Sequence, residues 1–335
     1  MMEKLFNYPQ YNRGKKSALD QPESLVGELG NFVSMMEKKP ENAESFFSEA
    51  DILKDLFDQF INERKEIEID MGELGKQKSQ YCCLTPKNND LSKPPIVLIP
   101  GISNDLDSIG GLPIKLAASG RRVIMIGYPE SWMGKITKDF RNAVEKSEKF
   151  EPHVEFFKSV IENLLGFDNQ IDMVGISTGS IIISELMKNK NFNLRINQSN
   201  LIIPPGLINV GSLDISMAKE LLALVFSGKI KYMKRARVNN SIKIIKTVED
   251  RKLSDSTYRA LECKVRQKYD WQKSNLISGS GKKTEVIVCD QDQVTKAKKG
   301  IKELEKNKTL IIHRISGGHL TPGIEAKRVI EKMII

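Results

Sequence analysis

The chain has 335 residues, with 52 Lys and Arg against 43 Asp and Glu, a formal net charge of +9, and 40% hydrophobic against 28% charged residues. That length fits two domains or one large α/β domain with insertions, and the composition excludes disordered, collagen-like and membrane-embedded chains. The longest apolar runs, such as Leu221–Phe226, fall far short of the roughly 18 residues a membrane-spanning helix needs.

Residues 1–40 carry Pro9, Gly14, Pro22, Gly27, Gly30 and Pro40 with little apolar rhythm and are expected to be irregular. A helix is predicted next, because Phe46, Phe47, Ala50, Leu53, Leu56, Phe57, Phe60 and Ile61 recur at helical spacing opposite a charged face. From Glu66 onward, short strand-like runs alternate with helical ones, the texture of a sheet covered by helices on both faces. Glu66–Asp70 and Gln80–Leu84 read as two strands joined by a turn at Gly72 and Gly75. Buried strands follow at Ile96–Ile99 and Val123–Ile126, with a helix over Leu112–Ala118 between them. A helix face of Val154, Phe157, Val160, Ile161, Leu164 and Leu165 leads into the strand Ile171–Val174. A helix through Ile181, Ile182, Ile183, Leu186 and Met187 comes next, then a strand Leu201–Ile203 stopped by Pro204 and Pro205. After an interruption the alternation resumes with the strand Glu285–Cys289, a helix around Ala297–Leu304 and the strand Leu310–Ile312. A last helix, started by Thr321 and Pro322, is expected to bury Ala326, Val329, Ile330 and Met333.

This divides the chain into an N-terminal extension with one amphipathic helix (1–65), an α/β core (66–205 and 284–335) and a basic insert (206–283). The insert counts 17 Lys and Arg against 7 Asp and Glu, and the first 80 residues 11 against 16, so the two carry opposite charge and are candidates to touch. Cys82, Cys83, Cys263 and Cys289 show neither metal-ligand spacing nor the density of a disulfide-stapled domain and read as reduced thiols. The first residues lack the apolar stretch of a secretory leader, which points to a cytoplasmic location. There is no GxxxxGK[ST] loop, no HExxH and no clustered metal ligands, so neither a nucleotide nor a metal cofactor is expected.

The chemistry concentrates in Gly175-Ile176-Ser177-Thr178-Gly179, which fits the GxSxG elbow, a sharp strand-to-helix turn that lifts a serine hydroxyl clear of a sheet. The motif stands directly after an apolar strand and before an apolar helix, the context it requires. A serine hydroxyl needs a neighbouring base, and histidine has the right pKa. Of the three histidines, His153 opens a helix and His313 lies in or just after a strand, whereas His319 lies in the loop Ser316-Gly317-Gly318-His319 after the last strand. Asp290 and Asp292 both follow the strand before it and are the candidate carboxylates.

From about residue 66 to the end, the chain resembles the α/β-hydrolase superfamily, whose members order their triad Ser, Asp, His along the sequence. The resemblance implies a mostly parallel sheet of about eight strands flanked by helices, with 206–283 as a helical cap. It implies Ser177 as nucleophile, His319 as base and Asp292 as the acid. Cys289-Asp290-Gln291-Asp292 matches the family's usual setting for that acid, except that Cys289 replaces the customary glycine, and Asp290 stays open as the alternative. The oxyanion donors would be the backbone N–H groups of Thr178 and Ile102, although Pro100-Gly101-Ile102-Ser103 lacks the His-Gly form of that loop seen in many esterases. The resemblance also offers Tyr128, Trp132, Tyr232 and Trp271 as pocket candidates, although ordinary packing is the commoner role for any single one of them.

The reading is therefore a serine hydrolase of a small carboxylic ester, thioester or amide, with no cofactor. An acyltransferase, or another reaction on the same fold such as carbon–carbon bond hydrolysis, uses the same residues. A third reading is a non-catalytic binding or scaffold protein. Lys229, Lys231, Lys234, Arg235 and Arg237 read first as a solvated cap face and second as a contact for a membrane surface or an anionic substrate. Nucleic acid is not expected as a partner, and the oligomeric state is not set by the sequence.

Overall fold

The computed structural model describes residues 43–101, 111–129, 136–147, 149–204, 282–290, 292, 301–302, 304–307, 309–316 and 329–333, residues 43–50 by their backbone alone. The irregular arm, the insert with Tyr232 and Trp271, Ile102, Trp132 and His319 lie outside the described residues, as does the suggested contact between extension and insert.

Eight strands form one sheet. They are β1 Lys65–Asp70, β2 Lys76–Leu84, β3 Ile96–Ile99, β4 Val123–Ile126, β5 Ile171–Ile176, β6 Ile196–Ile202, β7 Lys283–Cys289 and β8 Leu310–Ile315. Their spatial order is β1-β2-β4-β3-β5-β6-β7-β8. β2 runs antiparallel to both of its neighbours, β1 and β4, and every other pair is parallel. The crossover at β3 and β4 makes the chain wind in both directions from the middle of the sheet. In open sheets of this kind, ligands generally bind beside such a reversal, at the carboxyl ends of the strands.

The helices are α1 Ala43–Asn62, α2 Leu112–Ala118, α3 Lys138–Lys146, α4 Glu151–Leu165, α5 Thr178–Leu186 and α6 Lys190–Arg195. Continuous apolar strands such as Ile96-Val97-Leu98-Ile99 arise because both faces are covered. Val97 and Ile99 pack with α3, α4 and α5 through Phe140, Phe157, Val160 and Ile182, while Ile96 and Leu98 pack with α1 and α2 through Leu56, Phe60, Leu112 and Leu116. Val329 and Met333 close the second face. Helix α1 is therefore part of the core: Gln59 donates from its side chain to the Thr85 carbonyl (3.1 Å) and accepts from the Thr85 N–H (2.9 Å).

The predicted strands are present, as are the predicted helices up to Leu186, with differences at their ends and two helices more, while the helix expected around Ala297–Leu304 and the one expected from Thr321 lie largely outside the described residues. β2 begins four residues before the predicted Gln80, because Gln77 and Ser79 are polar yet buried, the Gln77 amide nitrogen donating to the Thr137 hydroxyl and the Ser79 hydroxyl to the Gly127 carbonyl. Helix α3 carries only Phe140 and Val144 inward, too few for an apolar stripe, and is started by Thr137, whose hydroxyl accepts from the Phe140 N–H. Helix α6 is a short piece capped in the same way by Asn189.

At the amino ends of the strands a buried ion pair ties the layers together. Arg121 Nη2 lies 2.6 Å from Asp172 Oδ2, both side chains about 3% exposed, and Asp172 also accepts from Asn197 (2.9 Å) and Gln198 (3.1 Å). Cys82, Cys83 and Cys289 stand outside any disulfide. Among the described residues no helix is long and apolar enough to cross a membrane.

Candidate active site

Ser177 joins β5 to α5 at the carboxyl edge of the sheet, with φ 51° and ψ −119°. A non-glycine residue pays of order 1–3 kcal/mol for a conformation in that region, so the surrounding structure has to impose it. Three observations show how. The Ser177 N–H donates to the Ile202 carbonyl (2.8 Å) and the Ser177 carbonyl accepts from the Ser180 N–H (2.9 Å). The Ser180 hydroxyl, itself buried, donates to the Gly175 carbonyl (2.8 Å). The two glycines of the motif are places of close approach. A Cβ on Gly175 would stand 2.7 Å from the Gly179 carbonyl oxygen, and one on Gly179 would stand 2.2 Å from the Ile99 oxygen and 2.7 Å from the Pro100 oxygen. Strand β3 thus runs directly against the first turn of α5, backbone on backbone.

The other candidates follow from the strand order. β5, β7 and β8 are parallel, so the residues after each emerge at the same edge as Ser177. After β7 the chain turns at once, the Asp292 N–H donating to the Cys289 carbonyl (3.0 Å), while the Asp290 N–H donates to the Ile315 carbonyl (3.0 Å) and extends the ladder to β8. Asp292 is 2% exposed and Asp290 is only partly covered. Thr178 is fully buried at the amino end of α5. The last described residue before the glycine-rich loop is Ser316, directly after β8.

Both other histidines have places in the body of the fold. His153, in the first turn of α4, is buried with its ring edge-on to Tyr128, Phe140 and Phe150 at 5.3–5.7 Å between centroids. His313 lies on β8 with Nε2 3.5 Å from Glu285 Oε2 on β7. Tyr128, just past β4, is 1% exposed, and its hydroxyl donates to the Pro100 carbonyl (3.1 Å).

One feature of this edge escapes the sequence reading. Ile203, after β6, has φ 45°, an outlier for a β-branched residue, and its N–H donates to the Ile287 carbonyl (2.7 Å). Two left-handed residues thus sit on adjacent strands at the same edge, Ser177 bonded to Ile202 and Ile203 next to it. The signal available was Pro204, which stops the strand but does not announce the conformation before it. Among the described residues no group of three His, Cys, Asp or Glu side chains is placed to hold a metal ion.

No protein-family model matches the chain, and no curated protein matches it. Solved structures do. A thermophilic esterase from Thermogutta terrifontis superposes with a TM-score of 0.57 at 14% identity, over 80% of this chain and 96% of that one. A bromoperoxidase from Bacillus anthracis gives 0.56 at 15%, over 80% and 97%. An enol-lactonase from Burkholderia xenovorans LB400 gives 0.55 at 13%, over 76% and 94%. The mostly parallel eight-stranded sheet, its order and these superpositions agree: the chain has the α/β-hydrolase fold.

Proposed function

We propose that the protein is a serine hydrolase that cleaves a small carboxylic ester, or a related thioester or amide, through an acyl-enzyme on Ser177. The observation that carries this reading is the strained, left-handed Ser177 held between β5 and α5 by two close-approach glycines. Strain of this kind survives where it positions a reacting group. Solved structures of the same fold include proteins named as an esterase and an enol-lactonase, which agrees with an acyl substrate.

In the proposed reaction His319 takes the proton from Ser177 Oγ as that oxygen attacks the carbonyl carbon, forming a tetrahedral intermediate whose oxyanion accepts from the N–H groups of Thr178 and Ile102. Collapse breaks the bond to the leaving group, which leaves with the proton from His319. Water, deprotonated by His319, then cleaves the acyl-enzyme. Asp292 holds His319 in the reactive tautomer; its burial beside the β7 turn favours it over the more exposed Asp290. Residues 206–283 form a cap, and Tyr128, Trp132, Tyr232 and Trp271 belong to the candidate pocket.

Intact-mass labelling with a fluorophosphonate tests this. Ser177 Oγ attacks phosphorus, fluoride leaves and His319 receives the proton. One adduct on the wild type and none on Ser177→Ala is the expected result. A folded wild type that takes no adduct, or an adduct that persists in Ser177→Ala, overturns the reading.

A further inference from the structure

We propose that Tyr128 is a positioning residue whose buried hydroxyl sets the direction in which the chain leaves β3 toward the oxyanion-binding turn. The inference deepens the reading of Ser177 as nucleophile and rests on it. Phenylalanine would fill a core position of this kind, and a buried hydroxyl is retained at a cost unless it makes a bond that matters. Here the hydroxyl donates to the Pro100 carbonyl at 3.1 Å. That carbonyl lies beyond both ladders of β3, whose last paired residues are Leu98 opposite Met125 and Ile99 opposite Gly175. The sheet therefore ends one residue too early to orient it.

Two contacts define where the Pro100 carbonyl points. The Tyr128 hydroxyl bonds it from one side, and the bare Cα of Gly179 leaves room for it on the side of α5. Because a peptide is planar and trans, a carbonyl fixed in this direction fixes the following N–H, that of Gly101, in the opposite one. Gly101 thus leaves β3 from a single held peptide plane, one residue before the proposed Ile102 donor.

Tyr128 is itself held at three points. The Ser79 hydroxyl on β2 bonds the Gly127 carbonyl (2.8 Å) and lies 3.2 Å from the Tyr128 carbonyl. Its ring stands edge-on to Phe157 at 5.1 Å and to His153 at 5.7 Å. A side chain with two rotatable bonds, locked in this way, presents its hydroxyl as a fixed point. A rotating group could not serve to position anything.

The test compares wild type, Tyr128→Phe, Ser79→Ala and a distant core control, Phe192→Leu, in fluorophosphonate labelling rate and in hydrolysis of p-nitrophenyl butyrate. Full loss of one oxyanion donor costs about 100- to 1000-fold in kcat. Loss of its alignment is expected to slow labelling and kcat by about 10- to 100-fold in Tyr128→Phe, with KM within about twofold of wild type. Ser79→Ala, which loosens the Tyr128 backbone and keeps the hydroxyl, is expected to fall between wild type and Tyr128→Phe. It carries the test if Tyr128→Phe does not fold, and a wild-type rate in Ser79→Ala then overturns the proposal. Wild-type labelling and kcat in folded Tyr128→Phe overturn it while leaving Ser177 as nucleophile. An equal loss in Phe192→Leu assigns the effect to general loosening and also overturns it. No label on wild type overturns both readings.

Discussion

Among the described glycines, Gly179 makes the closest approach to other backbone, and it yields the sharpest prediction. In Gly179→Ala the new methyl carbon would sit 2.2 Å from the Ile99 oxygen, 2.7 Å from the Pro100 oxygen and 2.9 Å from the Ile99 carbonyl carbon. All three are backbone atoms of a central strand and of the residue after it, so no side chain can swing aside. Ordinary contact begins near 3.4 Å, which requires α5 and β3 to separate by about 1.2 Å. Overpacking of this severity costs typically 1–3 kcal/mol, and the upper end or beyond is expected because β3 is held on both sides by β4 and β5. The chemical effect is larger in proportion. A displacement near 1 Å between Ser177 and the turn after β3 costs about 100-fold in rate. Urea denaturation gives the first number and fluorophosphonate labelling the second. A variant within 0.5 kcal/mol of wild type that labels at the wild-type rate would refute the claim that these two backbones are in contact.

Further outcomes follow from other parts of the structure. Asp172→Asn leaves the Arg121 guanidinium buried without its counter-charge and is expected to cost about 3–5 kcal/mol, whereas Asp172→Leu combined with Arg121→Met recovers most of it. Denaturation midpoints decide, and a single-variant loss below 1 kcal/mol contradicts the burial. Ser177→Gly removes the side chain that makes φ 51° costly, so stability should rise by about 0.5–1 kcal/mol while labelling disappears; unchanged or lower stability argues against strain at this residue. Burial, opposed by the nearby Arg64 charge, pushes the Cys82 thiol up to about 12 from 9.0. The unfolded chain therefore releases this proton first as pH rises above 9, and stability is lost in the window between 9 and 12. Measured against Cys82→Ala, the wild type should lose about 1 kcal/mol between pH 9 and pH 10. A constant difference refutes it.

Legibility in the sequence tracked how strongly each segment was apolar. Ile96–Ile99 and Val123–Ile126 were marked by unbroken runs because central strands are covered on both faces. The start of β2 was not, since Gln77 and Ser79 enter the core by donating hydrogen bonds to Leu74, Thr137 and Gly127, a solution that only the folded neighbours reveal. The reversed direction of β2 was equally hidden, because period and composition carry no strand polarity. At the site, residue types and their chain order were legible: Gly175, Ser177 and Gly179 at the end of one strand, Asp290 and Asp292 after another. That a side chain at the two glycines would collide with neighbouring backbone was legible from the motif, but which distant backbone it would meet was not. Gly179 is required by the carbonyls of Ile99 and Pro100, about eighty residues earlier in the chain. The bond from Tyr128 to Pro100 was likewise beyond pattern reasoning, which sees an aromatic but not the partner of its hydroxyl.

The pairing of β6 with β7 has a consequence for how such a chain can change. Gln198 pairs with Lys283 and Ile202 with Ile287, so two strands separated by about eighty residues of sequence lie side by side. The intervening segment departs next to Ser177, whose N–H bonds the Ile202 carbonyl, and returns at the far end of the sheet. Its ends are thus anchored by a ladder that makes no demand on what lies between them. For a flexible connection, closure entropy grows only with the logarithm of length, about 0.6 kcal/mol per doubling. A connection between two such anchors therefore adds little to the cost of forming the ladder itself, which rests on the pairing of Gln198–Ile202 with Lys283–Ile287. The backbone beneath Ser177 is the opposite case: the close approaches at Gly175 and Gly179 leave almost no room for change.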